Sequence, residues 1–139
     1  MQGGELPLPT NAKENAELAK IVAAQKLAGS KLGGQMYYNL AAFWLRTDDV
    51  DNEGTFVDSR TKVKIGFTKW NPGNPNNWKN PAYGYKIDQD FVIMYANGEW
   101  NDMDTKDKAH TVCQKKITTT TTTTTSSTIT KTTATTTTK

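Results

Sequence analysis

The spacing of apolar residues in the first part of the chain predicts one amphipathic helix over residues 12–28. Apolar residues recur three, four and nine positions after Leu18, which roughly maintains one apolar face. These residues are Ile21, Val22 and Leu27. Thr10 or Asn11 can cap the first turn, and we expect Gly29 to end the helix.

Beyond the helix, the pattern changes to short strands separated by polar turns. Residues 41–45 and Phe91–Tyr95 are apolar runs, whereas residues 63–67 alternate in polarity as a half-buried strand does. A last strand is expected near residues 110–114, and residues 70–90 are expected to form a long irregular loop. One helix followed by antiparallel strands and a long loop predicts an α+β fold.

The composition changes sharply at the C-terminal end. From residue 117 onward nearly every residue is Thr, so the overall hydrophobic content of 35% understates that of the rest. We therefore predict one domain over residues 1–116 and a Thr-rich disordered tail over residues 117–139. The tail has the composition of a mucin-like, O-glycosylated stalk, and an unmodified disordered tail is the alternative.

Charge and hydropathy argue against two classes of partner. The net charge is +3, but several lysines lie in or beside the tail, which leaves the domain close to neutral. Without a basic stripe, nucleic-acid binding has little support, and no apolar run is long enough to form a membrane span. The residues after Met1 lack the basic and apolar regions of a secretory signal.

Two oxygen-rich segments carry the candidate chemistry. Residues 70–77 (Trp-Asn-Pro-Gly-Asn-Pro-Asn-Asn) and residues 98–102 (Gly-Glu-Trp-Asn-Asp) flank the apolar run at Phe91–Tyr95. Asn and Asp placed in this way can surround a hard cation such as calcium, and the same groups can hydrogen-bond a sugar diol. An ordinary turn is the alternative for the first segment, since Asn and Pro are common turn residues.

The sequence offers one formal candidate for a catalytic pair. His110 and Cys113 are the single histidine and the single cysteine, and a Cys/His nucleophile would need both. Residues three apart on a strand point to opposite faces, so we expect a binding protein and no enzyme.

Seven short motifs are spread along the domain. They are residues 3–7 (Gly-Gly-Glu-Leu-Pro), 43–48 (Phe-Trp-Leu-Arg-Thr-Asp), 53–56 (Glu-Gly-Thr-Phe), 67–73 (Phe-Thr-Lys-Trp-Asn-Pro-Gly), 74–76 (Asn-Pro-Asn), 100–102 (Trp-Asn-Asp) and 112–115 (Val-Cys-Gln-Lys). In this order they resemble the C-type lectin domain family, in particular its secreted, insect-type members. The resemblance implies the C-type lectin-like fold, with antiparallel sheets, a helix and a long irregular loop region.

The chain also departs from the pattern of the family it resembles. The family's first strand and first helix would precede Met1, so we expect an N-terminally shortened domain, or a trimmed fold in which Cys113 is a free thiol. The positions of the family's short disulfide fall on Phe91 and Thr105, so that bridge is absent. A missing first strand would leave a sheet edge unpaired, which predicts self-association.

The resemblance implies a calcium site whose ligands come from both oxygen-rich segments. The implied primary calcium ligands are Asn74, Asn76, Gln89, Asn101 and Asp102. The implied sugar contacts are Asn74, Asn76, Asn101, Asp102 and Trp78. The implied auxiliary calcium ligands are Asp48, Glu53 and Asp90. The family's cis peptide falls on Asn74-Pro75. Asp102 is the one certain carboxylate of the primary set, with Asp88 or Asp90 as a candidate second, so we expect weak calcium binding or none.

The function implied by the resemblance is that of a secreted, extracellular lectin whose partners are glycans or glycoproteins. Asn at both Asn74 and Asn76 removes the acid–amide asymmetry that separates mannose from galactose patterns, which leaves both sugars open. Trp78 or Tyr83 can stack on a sugar ring, which would favour galactose. The alternative function is that of a degenerate lectin-like domain that binds a protein partner without calcium or sugar. The alternative to an auxiliary calcium site is a merely solvated acidic turn at residues 48–53.

Overall fold

The computed structural model describes residues 4–25, 29–32, 35–37, 41–78 and 88–115. These residues form one helix, α1 (Ala12–Ala24), and two antiparallel sheets. A hairpin pairs β1 (Ser30–Leu32) with β2 (Gln35–Tyr37), and the main sheet has the strand order β4-β3-β5-β6. The strands of the main sheet are β3 (Ala42–Asp48), β4 (Val57–Asp58), β5 (Phe91–Tyr95) and β6 (Trp100–Met103). The predicted α+β fold is confirmed, whereas the Thr-rich tail and Tyr83 lie outside the described residues.

Helix α1 begins where the sequence predicts and ends earlier. Asn11 is its N-cap, and the Asn11 side chain accepts a hydrogen bond from Glu14 N at 2.9 Å. The Glu14 carboxylate in turn accepts from Thr10, so the first turn is held from both sides. The helix ends at Ala24 rather than at residue 28, and residues 26–28 lie outside the described part of the chain.

The buried face of α1 overlaps the predicted apolar face only in part: Val22 is buried and Leu18 packs against the core, as predicted. The buried side chains are Asn15, Ala19 and Val22. Ile21 is 56% exposed, so its predicted place on the buried face is wrong. The face is rotated because Asn15 points inward: its Nδ2 donates to Gly98 O at 2.9 Å, and its Oδ1 accepts from Trp100 Nε1 at 2.8 Å. A Cβ at Gly98 would lie 3.0 Å from Asn15 Nδ2, so this turn with φ +88° requires glycine.

The predicted strand at residues 63–67 is wrong. This segment makes one isolated bridge, between Lys64 and Val57, and Val63 is 65% exposed. Ile65 and Phe67 nevertheless pack against the main core. The alternation in the sequence therefore reflects a loop that packs one side against the core. Such a loop alternates in polarity with the same period as a half-buried strand.

The end of the domain also differs from the prediction. Residues 110–114 form no strand and contribute only isolated bridges, His110 to Phe43 and Gln114 to Glu5. The edge strand β6 instead comes from the segment that we expected to be an oxygen-rich loop, and it pairs with β5 from Met103 opposite Phe91 to Trp100 opposite Met94. This pairing places Asn101 and Asp102 on a rigid strand.

The main core lies between α1 and one face of the sheet, with Trp100 fully buried inside it. The Trp100 ring makes edge contacts with Phe67 and Trp70, at centroid distances of 5.8 Å. Burial of a side chain of this size contributes roughly 2–3 kcal/mol. Because Trp100 precedes Asn101 directly, the core fixes the start of the strand that carries the candidate site.

Three positions named by the implied disulfides can be placed. Cys113 is exposed, and its thiol is free. Phe91 and Thr105 line the same cavity of about 420 Å³, so the implied short-bridge positions do lie near each other. Among the described residues, no helix has the length and apolar character needed to cross a bilayer.

Candidate functional site

The two oxygen-rich segments meet because the backbone of Trp100 pairs with the segment around Trp70. Trp100 N donates to Lys69 O and Trp100 O accepts from Asn71 N, each at 2.8 Å. The next turn is closed by a hydrogen bond from Asn74 N to Asn71 O at 3.0 Å. This arrangement brings residues 74–78, which we call the binding loop, beside Asn101 and Asp102 of β6.

Asp102 holds the middle of the binding loop. Its side chain is 1% exposed, and Asn76 N lies 3.0 Å from each of its two carboxylate oxygens. Asn77 N also donates to Asp102 Oδ2 at 2.5 Å. Hydrogen bonds from backbone N–H groups to an ionised carboxylate are among the stronger ones in proteins. Asp102 therefore connects β6 to the loop by charge-assisted hydrogen bonds.

Gln89, just before β5, holds the end of the binding loop. Gln89 N donates to Asn77 Oδ1 at 2.9 Å, and Gln89 Oε1 accepts from Trp78 N at 2.6 Å. The Asn74-Pro75 peptide is cis, as the resemblance implied, and Asn77 has a φ of +46°, which Asn tolerates better than most residues. Four of the five implied primary ligands, Asn74, Asn76, Asn101 and Asp102, thus lie on the loop and on β6, and Gln89 contacts the loop directly.

Two carboxamide oxygens at the site have no hydrogen-bond partner within the described part of the chain. They are Asn74 Oδ1 and Asn101 Oδ1, and both are buried. Asn101 Nδ2 donates to Tyr95 OH at 3.1 Å, which leaves its oxygen as the open end of the side chain. A buried unsatisfied acceptor costs about 1–3 kcal/mol, so these two oxygens mark places that a ligand would complete.

A second group of oxygens lies at the start of β5. Carboxylate oxygens of Glu53, Asp88 and Asp90 lie within 4.8 Å of one another, a group we call the acidic cluster. Burial raises the pKa of Asp90, and the charges of Asp88 and Glu53 raise it further. Glu53 and Asp90 are two of the three implied auxiliary ligands, and Asp88, a candidate second carboxylate of the primary set, lies beside them.

Asp48, which ends β3, and Asp49, which follows it, differ from each other. Asp48, an implied auxiliary ligand, is not part of the acidic cluster, and Lys62 Nζ lies 3.5 Å from its Oδ1. Asp49 is buried, and its Oδ2 accepts from Gly54 N at 2.8 Å. Burial raises the pKa of Asp49 to about 6, with further contributions from neighbouring carboxylates that include Glu53 and Asp90. The sequence gives no sign of this difference, because the two residues stand side by side in one acidic run.

The oxygen donors fit a calcium ion only in part. The binding loop and β6 supply neutral carboxamide oxygens and one carboxylate, Asp102, whose oxygens already accept backbone N–H groups. The acidic cluster supplies three carboxylates and carries the charge that calcium affinity follows. The carboxamide oxygens therefore lie on the binding loop and β6, whereas most of the negative charge lies in the adjoining acidic cluster.

Trp78, the last residue of the binding loop, has a partly exposed side chain on a fixed backbone. Trp78 is 40% exposed, while its backbone N–H is held by Gln89. Asn76 Oδ1 also lies 3.1 Å from Trp78 N. An indole ring attached to a fixed backbone can offer an apolar face to a ligand at modest entropic cost.

Comparisons with known proteins agree with this geometry. A family model described as the lectin C-type domain matches residues 1–115. Collectin-11 of Bos taurus is 30% identical over 113 residues, which are 81% of this chain and 35% of that protein. Pulmonary surfactant-associated protein D of Bos taurus is 30% identical over 112 residues, 81% of this chain and 24% of that protein. The chain thus spans about a third or less of the length of these relatives.

A solved structure is similar in fold. The crystal structure of the C-type lectin CEL-I from Cucumaria echinata matches with a TM-score of 0.58 and 24% sequence identity. The match covers 79% of this chain and 66% of that one. It supports the architecture of one helix and an antiparallel sheet.

Proposed function

The chain belongs to the C-type lectin domain family, and from that premise we propose that it binds terminal sugars through the binding loop and β6. The family consists of non-enzymatic carbohydrate-binding proteins, so the chain is not an enzyme. One observation carries the proposal: Asn74 Oδ1 and Asn101 Oδ1 are buried acceptors without a partner among the described residues. Sugar hydroxyls or a cation bridging to them would supply that partner.

The proposed calcium site is weakened relative to the family pattern. Its primary ligands are Asn74, Asn76, Gln89, Asn101 and Asp102, of which only Asp102 is charged. Glu53 and Asp90 are the proposed auxiliary ligands, with Asp88 beside them, and Asp48 is a poorer candidate because of Lys62. When bound, calcium would supply a positive centre that coordinates sugar hydroxyls.

The proposed sugar contacts are Asn74, Asn76, Asn101 and Asp102, with Trp78 stacking on the apolar face of the ring. Stacking would favour galactose, while the paired carboxamides of Asn74 and Asn76 are compatible with mannose as well. The natural partners would be glycans or glycoproteins outside the cell. Secretion, self-association and O-glycosylation of the tail belong to the same proposal.

Retention of the full chain on immobilised galactose and mannose tests the proposal. We expect retention on at least one resin in calcium, competition by the free sugar, and weaker retention after chelation. Asn101→Ala removes an unpaired oxygen and should abolish most of the retention, and Asp102→Ala should abolish the calcium-dependent part. Asn97→Ala is the matched control, because Asn97 lies on the exposed β5–β6 turn and bonds only within that turn. No retention on either resin would reject sugar binding.

A degenerate domain that binds a protein partner is the second candidate function. It is favoured by the state of Asp102, whose oxygens already accept two backbone N–H groups. In that case neither resin would retain the chain, and Asn101→Ala would leave the binding of the protein partner unchanged.

A further inference from the structure

We infer that Asp102 and Gln89 are positioning residues that hold the binding loop in its ligand-contacting shape without a bound cation. The inference rests on the proposed function, because it concerns the residues that present Asn74 and Trp78 to a sugar. Beyond the proposed function, it states that the loop is shaped by two side chains of the protein itself, the carboxylate of Asp102 and the carboxamide of Gln89.

Asp102 supplies the stronger attachment. It accepts from Asn76 N at 3.0 Å to each oxygen, and from Asn77 N. Hydrogen bonds to an ionised acceptor are roughly twice as strong as those between neutral groups. At 1% exposure, Asp102 is shielded from water that would compete for the same N–H groups. The middle of the loop is therefore fixed by an anion inside the protein.

Gln89 supplies the second attachment, and its neutrality suits a loop that is shaped before any cation binds. It donates to Asn77 Oδ1 through its backbone and accepts from Trp78 N through its side chain. Gln89 is 4% exposed and stands between Asp88 and Asp90. A further carboxylate at this place would add a third negative charge to this stretch of the chain unless a cation compensated it. A carboxamide accepts the same N–H group without that cost.

The consequence concerns the open acceptors of the site. With the loop attached at Asn76, Asn77 and Trp78, contacts within the protein hold the oxygens of Asn74 and Asn101 in place. We therefore expect calcium to change sugar affinity by a smaller factor than removal of the Asp102 carboxylate does.

Amide hydrogen exchange of the full chain, followed by NMR in chelator and then in calcium, tests the inference directly. In chelator, the amides of Asn76, Asn77 and Trp78 should exchange at least about tenfold more slowly than the same amides in an unstructured chain. Calcium should add less than about threefold further protection. Protection that appears only after calcium is added would overturn the inference.

A charge-removing variant tests Asp102. Asp102→Asn keeps the shape of the side chain and should accelerate exchange of the Asn76 and Asn77 amides about tenfold. Asp51→Asn is the matched control, since it makes the same change at an exposed carboxylate outside the loop. Equal exchange in the two variants would contradict the role of Asp102.

A second pair of variants tests Gln89 and separates positioning from general destabilisation. Gln89→Met is close in size but lacks the acceptor, so it should accelerate exchange at Trp78 and leave Val92 and Ile93 of β5 protected. Gln89→Glu restores an acceptor and should recover the Trp78 protection in calcium, where the added charge is compensated. Acceleration at Val92 and Ile93 as well would show that Gln89 acts on the whole sheet instead. No recovery in calcium would show that an acceptor at position 89 does not hold Trp78.

The failures of the two proposals are distinguishable. Protected loop amides without sugar retention would reject sugar binding and leave the role of Asp102 intact. Sugar retention with a loop protected only in calcium would reject the positioning role alone.

Discussion

The binding loop and the acidic cluster adjoin each other, yet they use their charges in different ways. In the binding loop the one carboxylate, Asp102, is bonded to backbone N–H groups, and the unpaired oxygens belong to neutral carboxamides. In the acidic cluster, Glu53, Asp88 and Asp90 face one another within 4.8 Å, and their repulsion contributes to the raised pKa of Asp90. The difference teaches that oxygen-rich segments are not equivalent, because what each oxygen already bonds to decides what it can still bind.

This difference suggests that cation binding and sugar binding depend on different regions. A cation gains most where carboxylates repel one another, because it relieves that repulsion. A sugar hydroxyl gains most where a buried acceptor has no partner. We therefore expect cation affinity to depend on the acidic cluster and sugar contact to depend on the binding loop.

The largest expected effect is a loss of calcium affinity in the Asp90→Asn variant. This change removes the carboxylate that interacts with both other members of the cluster, and we expect calcium to bind about tenfold or more weakly by calorimetry. Asp102→Asn is the matched comparison, because the same change in the binding loop should cost about threefold or less. A larger loss in Asp102→Asn would show that the proposed primary site in the loop binds calcium more tightly than the acidic cluster does, and would remove the distinction between the regions.

A smaller effect is expected on the pH dependence of stability through Asp49, which adjoins the acidic cluster. Its pKa is raised to about 6 in the folded chain, so the folded state binds this proton more tightly than the unfolded state does. The associated stability is present below about pH 4 and is lost as the pH rises to about 6.

Urea unfolding in chelator at about pH 4.5 and about pH 7 measures this effect. The wild type should lose more unfolding free energy over this interval than Asp49→Asn, by on the order of 1 kcal/mol once solvent screening is included. Asp51→Asn, in the same turn but exposed, should behave like the wild type. Identical pH dependence for wild type and Asp49→Asn would mean that neither burial nor the neighbouring carboxylates raise the pKa of Asp49 in the folded chain.

Much of the fold could be predicted from local pattern, and the errors have a common physical origin. The cap at Asn11 and the strand Phe91–Tyr95 depend on local sequence and are confirmed. The rotated face of α1 depends on Asn15 reaching Gly98 and Trp100, more than 80 residues away, which no helical period reveals. The alternation at residues 63–67 was satisfied by loop packing because periodicity reports burial rather than strand pairing.

For the candidate site, residue types were predictable but their hydrogen-bond partners were not. The resemblance named Asn74, Asn101 and Asp102, and the cis peptide at Asn74-Pro75 agrees with it. Which oxygens are occupied depends on the direction of the backbone N–H groups of the loop, which the sequence does not encode in any local motif. The absence of Asp48 from the acidic cluster was likewise not predictable, and Asp48 instead pairs with Lys62 of the turn that follows β4.

The smallest expected effect, and the one that joins the two regions, is that of Gln89→Glu. Gln89 lies between the two acidic members Asp88 and Asp90 while its side chain holds Trp78 of the loop, so a carboxylate there would belong to both regions. We expect calcium affinity to rise about threefold by calorimetry, because one more carboxylate adds charge beside the cluster. Asn97→Asp adds the same charge on the β5–β6 turn and should leave the affinity unchanged.

The same variant should be less stable than the wild type in chelator, since the added charge then lies next to Asp88 and Asp90 along the chain without a cation. We expect a loss of about 0.5 kcal/mol in the free energy of unfolding, recovered when calcium is added. A gain in calcium affinity without this loss would mean that the new carboxylate points away from the cluster and that the loop and the cluster are independent. A loss that calcium fails to recover would mean that Gln89 serves only the loop, in which case neutrality at this position is required by the hydrogen bond to Trp78 alone.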